Sequence, residues 1–235
     1  MAIDAELFGD ILPTYLTRFV GRKDECAQLT TMLDEPGLVT VCGLGGAGKT
    51  RLAIEVARGV RADRRADRVC WVPLATAASP AEVAPAIAHA LGLGGSPLEY
   101  LGQIRAVLGA GRALLVLDNC EHVALGCRQL LDRILRDCPQ LSVPTTSRIP
   151  LGGAAERIYA IPPLGMVSSG HDPNATDATA LFVDRATGVA APYALTGLNG
   201  PVLAEICRTL YGLPLAIDSQ RAGFACCHHA ISWPR

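Results

Sequence analysis

An α/β fold, a parallel sheet with helices on both faces, is what this sequence predicts, and three observations predict it. First, a strand-like run, Leu38-Val39-Thr40-Val41-Cys42, feeds a glycine-rich loop that opens into a helical pattern. Second, Ala113-Leu114-Leu115-Val116-Leu117 is a continuous apolar run ending in Asp118. A strand apolar on both sides is buried on both sides, which is the habit of parallel sheets. Third, further strand candidates alternate with helical stretches: Val69-Cys70-Trp71-Val72, Leu141 to Ser147, and Arg157 to Ile161.

The loop is Gly43-Leu44-Gly45-Gly46-Ala47-Gly48-Lys49-Thr50, which fits G-x-x-x-x-G-K-[ST], the phosphate-binding P-loop. Its glycines let the backbone curl so that successive N–H groups face one phosphate. The helix that follows adds the positive end of its dipole. Gly43, Gly45, Gly46, Ala47, Gly48, Lys49 and Thr50 are therefore the candidate nucleotide-binding residues. Lys49 would reach the β- and γ-phosphates, and the Thr50 hydroxyl would ligate Mg²⁺. Only Lys23 and Lys49 are lysines, against nineteen arginines. The chain departs from its habit where a compact ammonium is needed. The fold class is narrowed to a P-loop NTPase: a three-layer parallel sheet followed by a small, incomplete helical subdomain.

The remaining elements follow in order. Residues 1–17 are short and mixed, and are expected to be a poorly ordered tail. A helix is expected from Lys23 to Leu33, ended by Pro36-Gly37. Arg61 to Arg68 is a solvated charged turn, with acids interleaved among bases. Helices are expected over Ala81 to Leu91, Leu98 to Leu108 and Val123 to Asp137. Pro144 removes a ladder donor, so the strand at Leu141 to Ser147 is expected to be weakened or shortened. Leu164 to Asp177 reads as a loop, then helices run over Ala178 to Ala186 and Pro201 to Tyr211. This divides the chain into a tail (1–17), a nucleotide-binding core (18–163), a partial helical subdomain (164–217) and an aberrant C-terminal tail (218–235).

Composition excludes some functions. The 235 residues are 50% hydrophobic, enough for a substantial core. A net charge of −1 gives no general pull toward nucleic acid or anionic membrane. The acidic start lacks the layout of a signal peptide, and no apolar run is long enough to span a bilayer. Nine cysteines without a secretion signal suggest free thiols in a cytoplasmic protein, mostly small core residues. Asn174-Ala175-Thr176 matches a glycosylation sequon, which a cytoplasmic chain would not use.

Asp118 has the placement of the acid that holds Mg²⁺ beside a P-loop: a buried strand delivers its carboxylate to the sheet edge where the phosphates sit. It is the second metal candidate beside Thr50, and a catalytic one. The next residue is Asn119, where a fast ATPase would place a second acid to orient water. Glu121 is close enough in sequence to serve instead, or Glu121-His122 is the polar start of a helix.

Together these pieces resemble the signal-transducing STAND ATPases, specifically the NB-ARC-like domains of actinobacterial LuxR-type and SARP-type regulators. The matching segments are Phe19-Val20-Gly21-Arg22, Gly43 to Thr50, Leu114 to His122, Thr145-Thr146-Ser147-Arg148-Ile149-Pro150-Leu151-Gly152, and Gly212-Leu213-Pro214-Leu215-Ala216-Ile217. The resemblance covers about residues 12 to 217. It implies that Val20 and Arg22 line the adenine pocket and that Arg148 senses the γ-phosphate. It implies that Pro214 closes over the adenine or ribose from the helical subdomain. The implied function is an ATP/ADP switch with Mg²⁺ and slow hydrolysis, in which ADP holds the helical subdomain closed and ATP loosens it. The implied partners are the nucleotide, sensor and DNA-binding domains of a full-length regulator, and other copies of the chain in the ATP state. Direct nucleic-acid and membrane binding are not expected. The alternatives are a P-loop kinase or transferase acting on a small molecule, and a non-functional remnant of a larger regulator.

After Ile217 the resemblance predicts a Glu-Leu-Ala-Ala-type helix, but the chain reads Asp218-Ser219-Gln220-Arg221 and onward to Arg235. Cys226-Cys227-His228-His229 lacks the loop spacing of zinc sites. A base lost after codon 217 would account for the change, so the tail is expected to be out of frame, leaving Leu215 and Ile217 exposed.

Overall fold

The computed structural model describes residues 12–165, 176–187 and 200–220. The chain forms two compact units. The larger gathers Asp24–Gly43 and Lys49–Ile161; the smaller gathers Tyr15–Lys23, Leu44–Gly48 and the described residues from Pro162 onward.

In the larger unit all five expected strands form: β1 (Gly37–Cys42), β2 (Arg68–Pro73), β3 (Ala113–Asp118), β4 (Leu141–Ser147) and β5 (Arg157–Ala160). They make one parallel sheet in the order β2-β3-β4-β1-β5. β4 thus lies between β1, which feeds the glycine loop, and β3, which delivers Asp118. Side chains alternate faces along a strand. Leu115 and Leu117 join the core under α3 (Val83–Ala90), α4 (Pro97–Leu108) and α5 (Ala124–Asp137). Leu114 and Val116, equally buried, point to the opposite face, toward α2 (Lys49–Ala62), which packs on β3 and β4. Both faces are covered, as the unbroken apolar run requires.

In the larger unit two expectations need correction, the first of them in part. Pro144 does not shorten β4: the strand runs seven residues, all buried. Pro144 keeps its register opposite Val39 of β1. Toward β3 the ladder is interrupted, passing from Leu114↔Ser142 to Leu117↔Thr145. Burial of a central strand on both faces outweighs that local loss. The single helix expected over Ala81 to Leu91 is instead a 3-10 turn, Pro80–Glu82, followed by α3. The turn is tied down where Ala78 N donates to Glu82 Oε2 at 2.9 Å. The first helix, α1 (Lys23–Asp34), falls where expected and buries Leu29 and Leu33.

The smaller unit contains α6 (Asp177–Thr187), α7 (Gly200–Thr209) and a helical run over 214–220. Its core is Leu164, Ala178, Leu181, Phe182, Leu203 and Ile217, among others. Ile217 is only 1% exposed, against the expectation that it would lie bare, whereas Leu215 is exposed. Ile217, within the run over 214–220, belongs to the same buried cluster as Phe182 and Leu203. The helix also continues past the expected frame break. Asp218 pairs with the buried Arg185, Oδ1 lying 3.0 Å from Nε at an angle short of a hydrogen bond.

The first eleven residues of the N-terminal tail, the sequon at Asn174, and residues 221–235 with Cys226-Cys227-His228-His229 lie outside the described residues. Among the described residues, Cys42, Cys70, Cys120, Cys127, Cys138 and Cys207 are buried free thiols. No described helix is long and apolar enough to cross a membrane.

Candidate functional site

β1 is buried from Leu38 to Cys42, and the chain leaves the sheet at Gly43. Gly46 and Gly48 take φ of +78° and +88°, values that side-chain-bearing residues rarely adopt. Gly46 is doubly required. A Cβ there would lie 2.8 Å from Leu215 Cβ, and Leu215 N donates to Gly46 O at 3.2 Å. At Gly48 a Cβ would lie 3.5 Å from Pro214 Cγ, so the Gly-Leu-Pro segment packs on the glycine arc. At Gly45 a Cβ would meet open space. Lys49 Nζ donates to Gly43 O at 2.9 Å, drawing the two ends of the loop together. Lys49 and Thr50 open α2, so its first N–H groups and its dipole face the loop.

Asp118 ends β3 and is the hub of the larger unit's polar cluster. Its Oδ1 accepts from Thr50 Oγ1 and from Thr146 Oγ1, both at 2.6 Å. Thr146, at the end of β4, also takes Asn119 N–H on the same hydroxyl oxygen at 2.9 Å. Its carbonyl takes Cys120 N–H at 2.9 Å. Asn119 is left-handed, φ +64°, a conformation asparagine tolerates better than most residues. This turn precedes Glu121, whose Oε1 accepts from Arg148 Nε at 2.7 Å. Glu121 Oε2 is buried without a hydrogen-bond partner. His122 bonds through Nε2 to Leu74 O at 3.0 Å, and α5 begins only at Ala124. Glu121 therefore belongs to the turn and not to the helix start.

The electrostatics converge on Lys49. Desolvation holds its ammonium below the usual lysine range; Glu121 and Asp118 pull it back up, and Arg148 pushes it further down. Cys120, beside Glu121, is raised well above the ordinary thiol range, first by its hydrogen bond with Cys127 and then by burial. That makes it an inert core thiol and not a nucleophile.

The structure therefore brings Lys49, Thr50, Asp118, Glu121 and Arg148 into one cluster in the larger unit. In the smaller unit it places Pro214 against the glycine arc and Val20 against the hydrophobic core. Arg22 is 2% exposed and donates from Nη2 to Ala47 O at 2.9 Å and to Pro162 O at 3.0 Å. Sequence reasoning named Arg148 but passed over Thr146 within the same Thr145-Thr146-Ser147-Arg148 segment. Two adjacent threonines at a strand end facing Asp118 were the available signal.

Residues 32–151 match the AAA domain family. That stretch holds the glycine loop, Lys49, Thr50, Asp118, Glu121, Thr146 and Arg148. The chain belongs to the AAA domain family of P-loop ATPases. Rv0894 of Mycobacterium tuberculosis is 37% identical to this AAA domain over 210 residues, 88% of this chain and 51% of that protein. Rv0890c of the same organism, named a candidate HTH-type transcriptional regulator, is 38% identical over 195 residues, 83% of this chain and 21% of its own. The chain thus spans about half the length of the first relative and a fifth of the second.

Among solved structures, the Aeropyrum pernix ORC1 protein, determined in complex with DNA, superposes with a TM-score of 0.64 at 23% identity. The match covers 93% of this chain and 63% of that one. A Signal Transduction ATPase with Numerous Domains with a tetratricopeptide repeat sensor, PH0952 from Pyrococcus horikoshii, gives 0.56 at 17%, over 91% and 31%. These likenesses establish the fold: a P-loop AAA-type NTPase with a five-stranded parallel sheet.

The family implies nucleotide binding, and the oxygen pair of Thr50 and Asp118 fits the cation that accompanies it. A hydroxyl and a carboxylate suit Mg²⁺, which binds through one or two protein oxygens and completes its shell with phosphate and water. No group of three or more His, Cys, Asp or Glu that could hold a metal occurs among the described residues.

Proposed function

We propose that this AAA domain is an ATP/ADP-binding switch module of a signalling or transcriptional regulator, with hydrolysis slow enough to act as a reset. The observation that carries this reading is the ion pair between Arg148 and Glu121. The γ-phosphate sensor and the best-placed general base occupy one another, and Asn119 stands where a second acid would support fast turnover. Three anionic oxygens on a γ-phosphate compete for the exposed Arg148 guanidinium. Glu121, losing that partner, has its Oε1 free to accept a proton from the attacking water. The state of the nucleotide is thereby read as a change in one salt bridge.

The other residues hold the ligand. Lys49 and the loop N–H groups take the phosphates, and Thr50 and Asp118 take Mg²⁺. When bound, Mg²⁺ neutralises phosphate oxygen charge. By the resemblance, Val20, Arg22 and Pro214 of the smaller unit would meet the base. The likeness to PH0952, a STAND protein, and to Rv0890c supports a signalling role over a small-molecule kinase. The Gly-Leu-Pro segment packed on the glycine arc supports it too, because a small-molecule kinase needs a substrate lid instead.

Calorimetric titration of Mg-ATP and ADP into the full chain and its Lys49→Ala variant tests the reading. Lys49→Ala is expected to abolish binding of both. Equal affinity in the variant would remove the glycine loop and Lys49 as the nucleotide site. Wild-type turnover near the common enzyme value, about 10 per second, would replace the switch with a metabolic ATPase.

A further inference from the structure

We propose that Arg22 is a positioning residue for the phosphate loop: its buried side chain sets the orientation of a loop peptide and so controls affinity for the phosphate chain. The proposal rests on the nucleotide-binding reading above and gives the Arg22 side chain a role through the loop, in place of a contact with the base.

The physical basis is the planarity of the peptide bond. In a trans peptide the C=O of one residue and the N–H of the next point in opposite directions. Arg22 Nη2 donates to Ala47 O at 2.9 Å. By fixing that carbonyl toward Arg22, it fixes the Gly48 N–H away from Arg22. Gly48, φ +88°, has no Cβ to restrict its own rotation, so without a restraint this peptide would sample other orientations. A phosphate site made of backbone N–H groups works only if they converge before the anion arrives.

Arg22 is itself held at a cost. Its φ is +60°, uncommon for a residue with a long side chain. Gly21 before it is also left-handed, and any side chain there would collide with the Asp177 carboxyl. That closeness lets Asp177 Oδ2 accept from Arg22 N–H at 2.9 Å. The same guanidinium nitrogen that meets Ala47 also meets Pro162 O at 3.0 Å. Strained backbone persists where surrounding contacts over-determine it, and such positions cluster at functional sites. The Gly21-Arg22 turn, the Asp177 carboxylate and the Pro162 carbonyl together aim one guanidinium at one loop carbonyl. The buried guanidinium also places a permanent positive charge against the loop, where low dielectric preserves its effect on a phosphate.

The test compares the wild-type 235-residue chain with Arg22→Met and Arg22→Lys by calorimetry, using Mg-ADP and AMP, and by thermal melting. The proposal expects Arg22→Met to weaken ADP by about tenfold or more and AMP by much less, since AMP lacks the second phosphate that the loop grips. Arg22→Lys keeps the charge but not the planar fork and should fall between. It is the variant that decides the matter if Arg22→Met does not fold. Loss of melting temperature with an unchanged ADP affinity would make Arg22 a structural staple only and overturn the proposal. Equal weakening of ADP and AMP would place its effect at the base and overturn it as well. If Lys49→Ala binds ADP as wild type does, the nucleotide-binding reading fails first. If Lys49→Ala abolishes binding and neither Arg22 variant alters it, this inference alone fails.

Discussion

Thr146→Val should cost the larger unit about 3 kcal/mol, a loss out of proportion to the one-atom change. The magnitude follows from two bonds on one hydroxyl. Thr146 Oγ1 donates to the Asp118 carboxylate at 2.6 Å, a charge-assisted bond worth about 1.5–3 kcal/mol. It also accepts the Asn119 N–H at 2.9 Å, and an orphaned backbone donor costs about 1–3 kcal/mol. The Asn119 site is only partly buried, so water recovers some of that second term. Thr146 is 1% exposed, so valine fills the same space while presenting a methyl group to a carboxylate. Thr146→Ser keeps the hydroxyl and loses only a methyl, about 1 kcal/mol. Urea denaturation of the three proteins measures the difference. Mg²⁺-dependent nucleotide binding should weaken in the valine variant alone, because Thr50 would be left as the only hydroxyl on that Asp118 oxygen. Valine and serine variants of equal stability would refute the claim that the hydroxyl, and not the packing, holds the end of β3 to β4.

Other side chains carry equally definite expectations. Glu121→Gln should leave ATP binding intact and lower single-turnover phosphate release by about 100-fold or more, while Arg148→Ala should erase discrimination between ATP and ADP; unchanged release and discrimination would sever the pair from function. The Cys207 thiol is pushed up to about 11 by burial, from 9.0. Below pH 9 both folded and unfolded chains keep the proton and stability is full. Between pH 9 and 11 only the unfolded chain ionises, so stability falls as pH rises, by about 3 kcal/mol in all. Denaturation of Cys207→Ala across that window should show a shallower slope than wild type, the raised thiols of Cys42, Cys120 and Cys138 keeping their own share. Asp218→Ala should destabilise the smaller unit by about 1 kcal/mol, a modest figure because Asp218 is 40% exposed. A melting temperature unchanged by that substitution would show residue 218 to be a passenger, as an out-of-frame tail requires.

The sequence by itself determined the strands, most helices and the phosphate loop, because the signals for these are local. Apolar runs such as Leu114–Leu117 announce a strand buried on both faces, and Gly43 to Thr50 states its own backbone requirement. Long-range juxtaposition is not written locally, and there the reading stopped. Only the strand order β2-β3-β4-β1-β5 sets Thr146 beside Asp118 and brings Thr50 to the same oxygen, across 28 and 68 residues. Only the packed smaller unit shows that Arg22 reaches Ala47 and Pro162, 25 and 140 residues away, and that Ile217 is core. Pro144 makes the same point in reverse. A local rule argued for a weakened or shortened strand; the ladder to β3 is interrupted at Pro144, but burial between β1 and β3 keeps the strand at full length. Backbone preference is worth a few kcal/mol at one residue, whereas the burial of a central strand is shared among all its neighbours, and the sum prevails.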